Sequence, residues 1–332
     1  MEKKYIIAVD AMGGENSPKK ILDGIHIFSK NNNDIFFKIF GNRDQIEKNI
    51  SKKIDKEIYE IIHTDEFVKD EDSALTGAKN KKTSMWLAIK SVKNKESDIV
   101  ISAGNTGALF VIAKLNLEMI EKIDKPALSG LWPNRLGMNV VLDLGANIEC
   151  SEKNLYDFSI MGTSLFKSLF PNEEAKVAIL NIGSEETKGN EIIKNTYQKL
   201  SSTKKNFTFK GYIEGNKIMS GEVNVIVTDG FTGNIALKTA EGTANFITSE
   251  LKKTITSNLV GKLSTMMNIK NLNKFKDKLD PRKYNGAILI GLKSPVVKSH
   301  GSTDSIGFSN SLSVCEKILK GKLIDKIKEN LE

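Results

Sequence analysis

Short, uniformly apolar runs that stop at clusters of Gly, Asn and Asp constrain this fold more than any other feature. They are Tyr5 to Val9, Ile35 to Phe40, Ile99 to Ser102, Asn139 to Leu144, Ala175 to Ile182 and Val223 to Thr228. Runs this short and rich in β-branched residues read as strands buried on both faces. Amphipathic stretches at Pro18 to Asn31, Thr83 to Asn94, Ala108 to Glu118 and Asn154 to Phe170 alternate with them. The rhythm predicts βαβ units, hence a mainly parallel sheet covered by helices. No internal repeat or Pro/Ser-rich linker divides the chain, so one α/β domain is expected over residues 1–332, with a helical insertion at 244–283.

Composition narrows the function classes. A chain of 332 residues with 39% hydrophobic content can bury a large core. No stretch approaches the roughly 18 apolar residues of a spanning helix, and the run after Lys3-Lys4 is too short for a signal peptide, so a cytoplasmic location is expected. Cys150 and Cys315 have no ligand spacing around them, and are expected to be ordinary reduced thiols. The net charge of +8 rests on lysine, because only Arg43, Arg135 and Arg282 are arginine. Nucleic acid is not an expected partner, since arginine forks and interleaved aromatics are missing. The lysine excess reads as genomic bias as much as function, and it leaves an acidic carrier protein or an anionic membrane open as a partner.

Five of the runs end in small polar clusters: Asp10-Ala11-Met12-Gly13-Gly14, Ala103-Gly104-Asn105-Thr106-Gly107, Gly145-Ala146-Asn147, Gly183-Ser184-Glu185, and Asp229-Gly230-Phe231-Thr232-Gly233-Asn234. In a parallel sheet all carboxyl ends would face one crevice. Gly104 to Gly107 and Thr232 to Asn234 precede helical patterns, and free amides at helix N-termini suit phosphate. Lys188, in Thr187-Lys188-Gly189-Asn190, and Lys298 are the candidate counter-charges. The GxGxxG dinucleotide loop, its acidic partner and a Walker loop are all missing. His26 and His63 read as structural, whereas His300 sits in the polar loop Lys298 to Asp304 and is the candidate catalytic histidine. Cys150, three residues after Asn147, has no motif partner and is not expected to act as a nucleophile.

The segment 244–283 sets Leu259, Val260, Leu263, Met266, Met267, Ile269, Leu272, Phe275 and Leu279 among many lysines. Periodicity alone leaves two readings open, a stripe buried against protein or one lying in an anionic membrane surface.

Ala8-Val9-Asp10-Ala11-Met12-Gly13-Gly14, Ile101 to Ala108, Asp143 to Asn147, Lys188-Gly189-Asn190-Glu191, Val227 to Asn234 and Lys298-Ser299-His300-Gly301 together resemble the bacterial acyl-acyl carrier protein:phosphate acyltransferases. The resemblance runs from about residue 5 to 325. It implies a Rossmann-like three-layer αβα fold related to the isocitrate and isopropylmalate dehydrogenases and to phosphotransacetylases. It also implies a homodimer that converts acyl carrier protein thioester and inorganic phosphate to acyl phosphate, for use by a membrane glycerol-3-phosphate acyltransferase in phospholipid synthesis. No cofactor and no metal are expected. Catalytic roles then fall to His300, Lys188 and Asp229. Substrate and phosphate binding fall to Asp10, Gly13, Gly14, Gly104, Asn105, Thr106, Gly107, Asn147, Asn190, Thr232, Gly233, Asn234 and Lys298. The resemblance favours peripheral contact with the inner face of the cell membrane through Leu259, Leu263, Met266, Met267 and Phe275.

One departure is that lysines at 79, 81 and 82 replace an arginine-rich stretch before Thr83-Ser84-Met85, losing the bidentate fork. The main rival is a phosphotransacetylase acting on a coenzyme A thioester. A decarboxylating dehydrogenase would need an arginine clamp and grouped aspartates, and a non-enzymatic membrane scaffold would not need so many polar strand ends.

Overall fold

The computed structural model describes residues 5–32, 34–50, 54–258, 264, 266–278 and 280–332. The strands are β1 (Tyr5–Asp10), β2 (Ile35–Gly41), β3 (Tyr59–His63), β4 (Ile99–Ser102), β5 (Ala127–Pro133), β6 (Met138–Leu142), β7 (Lys176–Asn181), β8 (Thr208–Glu214), β9 (Val225–Val227), β10 (Ala287–Ile290) and β11 (Val296–Lys298). They form one sheet in the order β3-β2-β1-β4-β11-β10-β5-β6-β9-β7-β8.

The six anticipated runs are all strands. Five others escape a periodicity argument. β3 and β8 are edge strands only partly buried, β10 and β11 are four and three residues long, too short to show a period, and β5 is interrupted by Gly130 and closes on Pro133.

Helices α1 (Lys19–Ser29), α2 (Arg43–Asn49), α3 (Ala74–Lys79), α4 (Ser84–Lys93), α5 (Thr106–Asn116), α6 (Glu152–Leu169), α7 (Glu191–Ser201) and α8 (Gly230–Ile255) accompany the sheet. Side chains of β1 alternate between layers. Ile7 and Val9 join Ile21, Phe28, Phe158, Phe166 and Phe308 in the core under α1, α6 and the helix Ser305–Lys320. Ala8 faces Met85, Trp86, Ile89 and Ile112 under α4 and α5. Each fully buried Ile or Phe contributes roughly 1.5–3 kcal/mol of transfer free energy, and this two-sided burial produces the three layers.

One expectation fails here. The parallel strands fall into two sets that run in opposite directions. β1, β2, β3, β4 and β11 are mutually parallel. β6, β7, β8 and β9 form the other parallel set. Three antiparallel pairings in the centre, β11 with β10, β10 with β5 and β5 with β6, reverse the direction. The carboxyl ends of the two sets therefore lie at opposite edges of the sheet, and no single floor collects all five polar clusters.

A continuous 26-residue helix, α8, runs from Gly230 into the segment 244–283, and only Gly230 and Gly233 in it are buried. Beyond its first turns it leaves the sheet, carrying Phe246 at 67% exposure and Ile247 at 56% into solvent. A second helix spans Ile269–Lys278. Met266 and Met267 are 71% and 82% exposed, and Phe275 is 48% exposed; Leu259 and Leu263 lie outside the described residues. Among the described residues no helix is long and apolar enough to cross a membrane.

Candidate functional site

Asp10 ends β1 with its carboxylate 1% exposed. Burying a carboxylate requires hydrogen-bond donors, and three converge on it. Ser84 Oγ and Ser102 Oγ each donate at 2.6 Å, and the Met12 amide donates at 3.3 Å. Burial pushes the Asp10 carboxyl up, while these donors and the Lys298 charge pull against that rise. Ser102 Oγ in turn accepts from the Gly104 amide at 3.1 Å. Asp10 thus ties the ends of β1 and β4 to the start of α4.

The glycines after Asp10 permit close packing of backbones. A Cβ on Gly13 would stand 2.5 Å from the Gly104 nitrogen and 2.7 Å from its Cα. Gly14 takes a φ of 81°, and a Cβ there would meet the carbonyl oxygens of Ala103 and Gly301 and the ammonium of Lys20. Lys298 Nζ donates to the Ala103 oxygen at 3.2 Å and also to Ser299 O. Burial, then the like charge of Lys20, pull the Lys298 ammonium down to about 8. Lys20 Nζ donates to Gly301 O.

His300 is held through its backbone, whose amide donates to Asn285 Oδ1 at 2.9 Å. Its Nδ1 accepts from the Ser302 amide at 3.3 Å and faces Ser302 Oγ at 3.0 Å. The amide contact makes Nδ1 an acceptor, which puts the neutral ring's proton on Nε2. Partial burial and then the Lys298 charge hold His300 below the ordinary histidine value, with Glu241 of α8 opposing them.

Asn105 caps α5, accepting from the Ala108 amide at 3.0 Å, and its side-chain nitrogen binds Asp70 O and Asp72 O. Thr106 and Gly107 form the exposed first turn. Asp10, Gly13, Gly14, Gly104, Asn105, Thr106, Gly107, Lys298 and His300 therefore share one neighbourhood.

A second bracket forms at the opposite sheet edge. Asp143, fully buried after β6, accepts from the amides of Leu128, Gly145, Ala146 and Asn147 and from the Asn147 side chain. Asn147 O accepts from the Gly230 amide at 2.8 Å, and Asn234 Nδ2 donates to Leu144 O at 3.1 Å. A Cβ on Gly233 would fall 1.9 Å from Asp143 O, so α8 enters against this loop. Asp229 caps α8, accepting from both the amide and the hydroxyl of Thr232 at 2.8 Å.

Lys188 and Asn190 stand apart from both brackets, on the loop after β7. Lys188 is exposed and Asn190 caps α7, accepting from the Ile193 amide. Cys150 is buried, and burial followed by the Asp143 charge pushes its thiol up to about 11.

The two brackets meet across the short central strands. A cleft of about 250 Å³ is lined by Thr106, Gly107 and Lys298 at one end and Gly145 and Ala146 at the other. Its walls are Leu109, Phe110, Val111, Leu128, Leu289 and Val296. A depression of about 310 Å³ at the β8 edge carries only Ser184 from the five polar clusters, so the 250 Å³ cleft is the chemically equipped one. Among the described residues no three His, Cys, Asp or Glu side chains gather as a metal would require.

Several of these groups were missed in the sequence. Asp143 follows an apolar run just as Asp10 does, so that signal was readable. Ser84 and Ser102 carry no local mark of their role, and Lys20 beside Lys19 looks like helix surface.

Comparison with known proteins gives a consistent result. A family model described as fatty acid synthesis protein matches residues 5–326. A phosphate acyltransferase from Pelagibacter ubique is 68% identical, with both chains covered in full. Another from Paramagnetospirillum magneticum is 37% identical over all of this chain and 95% of its own. Among solved structures, a phosphotransacetylase from Streptococcus pyogenes superposes with a TM-score of 0.64 at 13% identity, covering 98% of this chain and 95% of its own. At that identity the likeness speaks for the α/β fold alone.

Proposed function

Because this chain belongs to the fatty acid synthesis protein family, whose matched relatives are phosphate acyltransferases, we propose that it transfers the acyl group of an acyl carrier protein thioester to inorganic phosphate. The observation that carries this reading is the cleft, an apolar trough that ends on the half-buried Lys298 and the exposed first turn of α5. The trough suits an acyl chain, and its cationic end suits phosphate.

Hydrogen phosphate needs no generated nucleophile; it needs holding against the thioester carbonyl. Lys298 and the first amides of α5 bind it at the mouth. Its oxygen attacks the carbonyl carbon, forming the C–O bond and a tetrahedral oxyanion. The Nε2 proton of neutral His300 stabilises that oxyanion or meets the departing sulfur. The C–S bond then breaks, and the phosphate proton ends on the carrier thiol, so no acyl-enzyme is required. Asp10 acts through Ser84 and Ser102 to hold the loops in place. Asp229 acts through the capped start of α8, and Lys188 faces the carrier from the outer loop.

An acidic carrier protein as donor fits the net charge of +8. The exposed Phe246, Met266, Met267 and Phe275 fit a homodimer contact or peripheral attachment to the inner membrane face. The acyl phosphate would then pass to a membrane glycerol-3-phosphate acyltransferase.

The test compares acyl-acyl carrier protein with acyl-coenzyme A as donor. Phosphate-dependent formation of acyl phosphate is expected from the carrier thioester, with kcat/KM about tenfold or more above that for the coenzyme A thioester. A preference for acyl-coenzyme A would move the protein to the phosphotransacetylase reading, and a trapped acylated side chain would exclude direct attack.

A further inference from the structure

Lys20 is the one buried charge in this neighbourhood that the reaction scheme leaves unused. It lies in the first turn of α1, where a cation opposes the helix dipole, and it is only 6% exposed. Among the described residues no carboxylate comes within salt-bridge distance of it or of Lys298, and its hydrogen bond goes to the Gly301 carbonyl. The same oxygen accepts from the Glu15 amide at 3.0 Å. Gly14 sits directly against Lys20 Nζ, Gly301 O and Ala103 O, and the last of these is the acceptor of Lys298. Two ammonium groups thus flank the seam between the Asp10–Gly14 and Lys298–Gly301 loops without an ion-paired anion. Buried charge without a counter-ion is costly, so keeping the buried Lys20 beside the half-buried Lys298 calls for an anion supplied from outside.

We propose that Lys20 is a positioning residue of the phosphate site, clamping the Lys298–Gly301 loop onto the glycine loop and adding the second positive charge for which bound phosphate is the counter-ion. The inference rests on phosphate being the acyl acceptor. The surrounding charges agree with it. Burial lowers the Lys20 ammonium, and Glu15, before α1, and Asp70, in the loop before α3, only partly restore it. Lys298 from β11 and His300 beyond it both feel Lys20 as a like charge. Asp10 acts on Lys298 and is already engaged by Ser84 and Ser102. A phosphate dianion answers both lysines at once.

The test measures inorganic phosphate binding to the free protein, together with KM for phosphate and for the acyl donor, in wild type, Lys20→Gln, Lys20→Arg and Lys19→Gln. Lys20→Gln keeps a donor for Gly301 O but no charge. It should weaken phosphate about tenfold or more while leaving the donor KM within about twofold. Lys20→Arg should recover most of that loss. Lys19 pairs with Asp23 at 2.6 Å on the solvent side of the same turn, and Lys19→Gln should match wild type. Unchanged phosphate affinity in Lys20→Gln overturns the proposal. So does a loss that is equal for both substrates, follows a falling Tm and is not recovered by arginine. Should wild type bind phosphate through Lys20 yet transfer no acyl group, the reading of the reaction falls while the phosphate site stands.

Discussion

Replacing Gly13 with alanine tests the seam between the first and fourth strands most directly. The added Cβ would lie 2.5 Å from Gly104 N and 2.7 Å from Gly104 Cα, where ordinary contact starts near 3.4 Å. Both obstacles are backbone atoms, so no rotamer change relieves them, and the loops must part by about 0.9 Å. Overpacking of this kind costs about 1–3 kcal/mol, a Tm loss of roughly 2–6 °C. The functional cost should be larger. Gly104 carries the amide held by Ser102 and leads directly into the first turn of α5. A displacement of about 1 Å in such a frame reduces rate about 100-fold. Steady-state kinetics and thermal unfolding of Gly13→Ala, beside Gly242→Ala as control, separate the two effects. Gly242 has open space around its Cβ position within exposed α8, so alanine there should stabilise or leave stability unchanged. Retention of kcat/KM within about threefold at an unchanged Tm would show that the close approach does not hold the site.

Lys298, lowered to about 8, should lose phosphate affinity as pH rises through that value, because its cation is the binding form. Over the same window, from about 8 to the ordinary lysine value of 10.5, the folded state holds fewer protons than the unfolded one, so stability from this group rises with pH. Lys298→Met should abolish both trends, and a phosphate KM flat between pH 7 and about 9 in wild type would contradict the assignment. Cys150→Ala should keep activity within about twofold, since a thiol at about 11 supplies no thiolate near neutral pH; a loss of tenfold or more would reinstate a sulfur nucleophile. Flotation with anionic liposomes should be lost when Met266, Met267 and Phe275 become serine, and survival of flotation would assign these exposed side chains elsewhere.

Much of this organisation was legible in the chain because burial on both faces leaves a local signature. β1, β4 and β6 read as apolar runs, and the acids and glycines after them read as special turns. Asn105 was legible just before the helical pattern that starts at Ala108, where a capping side chain bonds an amide three residues on, whereas the helix that Asn190 caps was not read from the sequence. Lys20 was not legible, since a lysine in an amphipathic helix looks the same whether its ammonium meets water or Gly301. Ser84 and Ser102 were hidden for the same reason, their function existing only through Asp10, distant in sequence.

By itself the sequence determined which segments are strands buried on both faces, where backbone must pack closely, and that phosphate would have to be met by lysine and amides rather than arginine. These are local properties, set by side-chain chemistry and period. Tertiary structure decided the direction of each strand and so which turns share a cleft. The β5, β10 and β11 pairings reverse the sheet at its centre, placing the Asp10 and Asp143 brackets at opposite ends of the strands, and one cleft lined by residues of both crosses the short strands β10 and β11. Strand pairing depends on contacts between distant residues, and no window of the chain contains it.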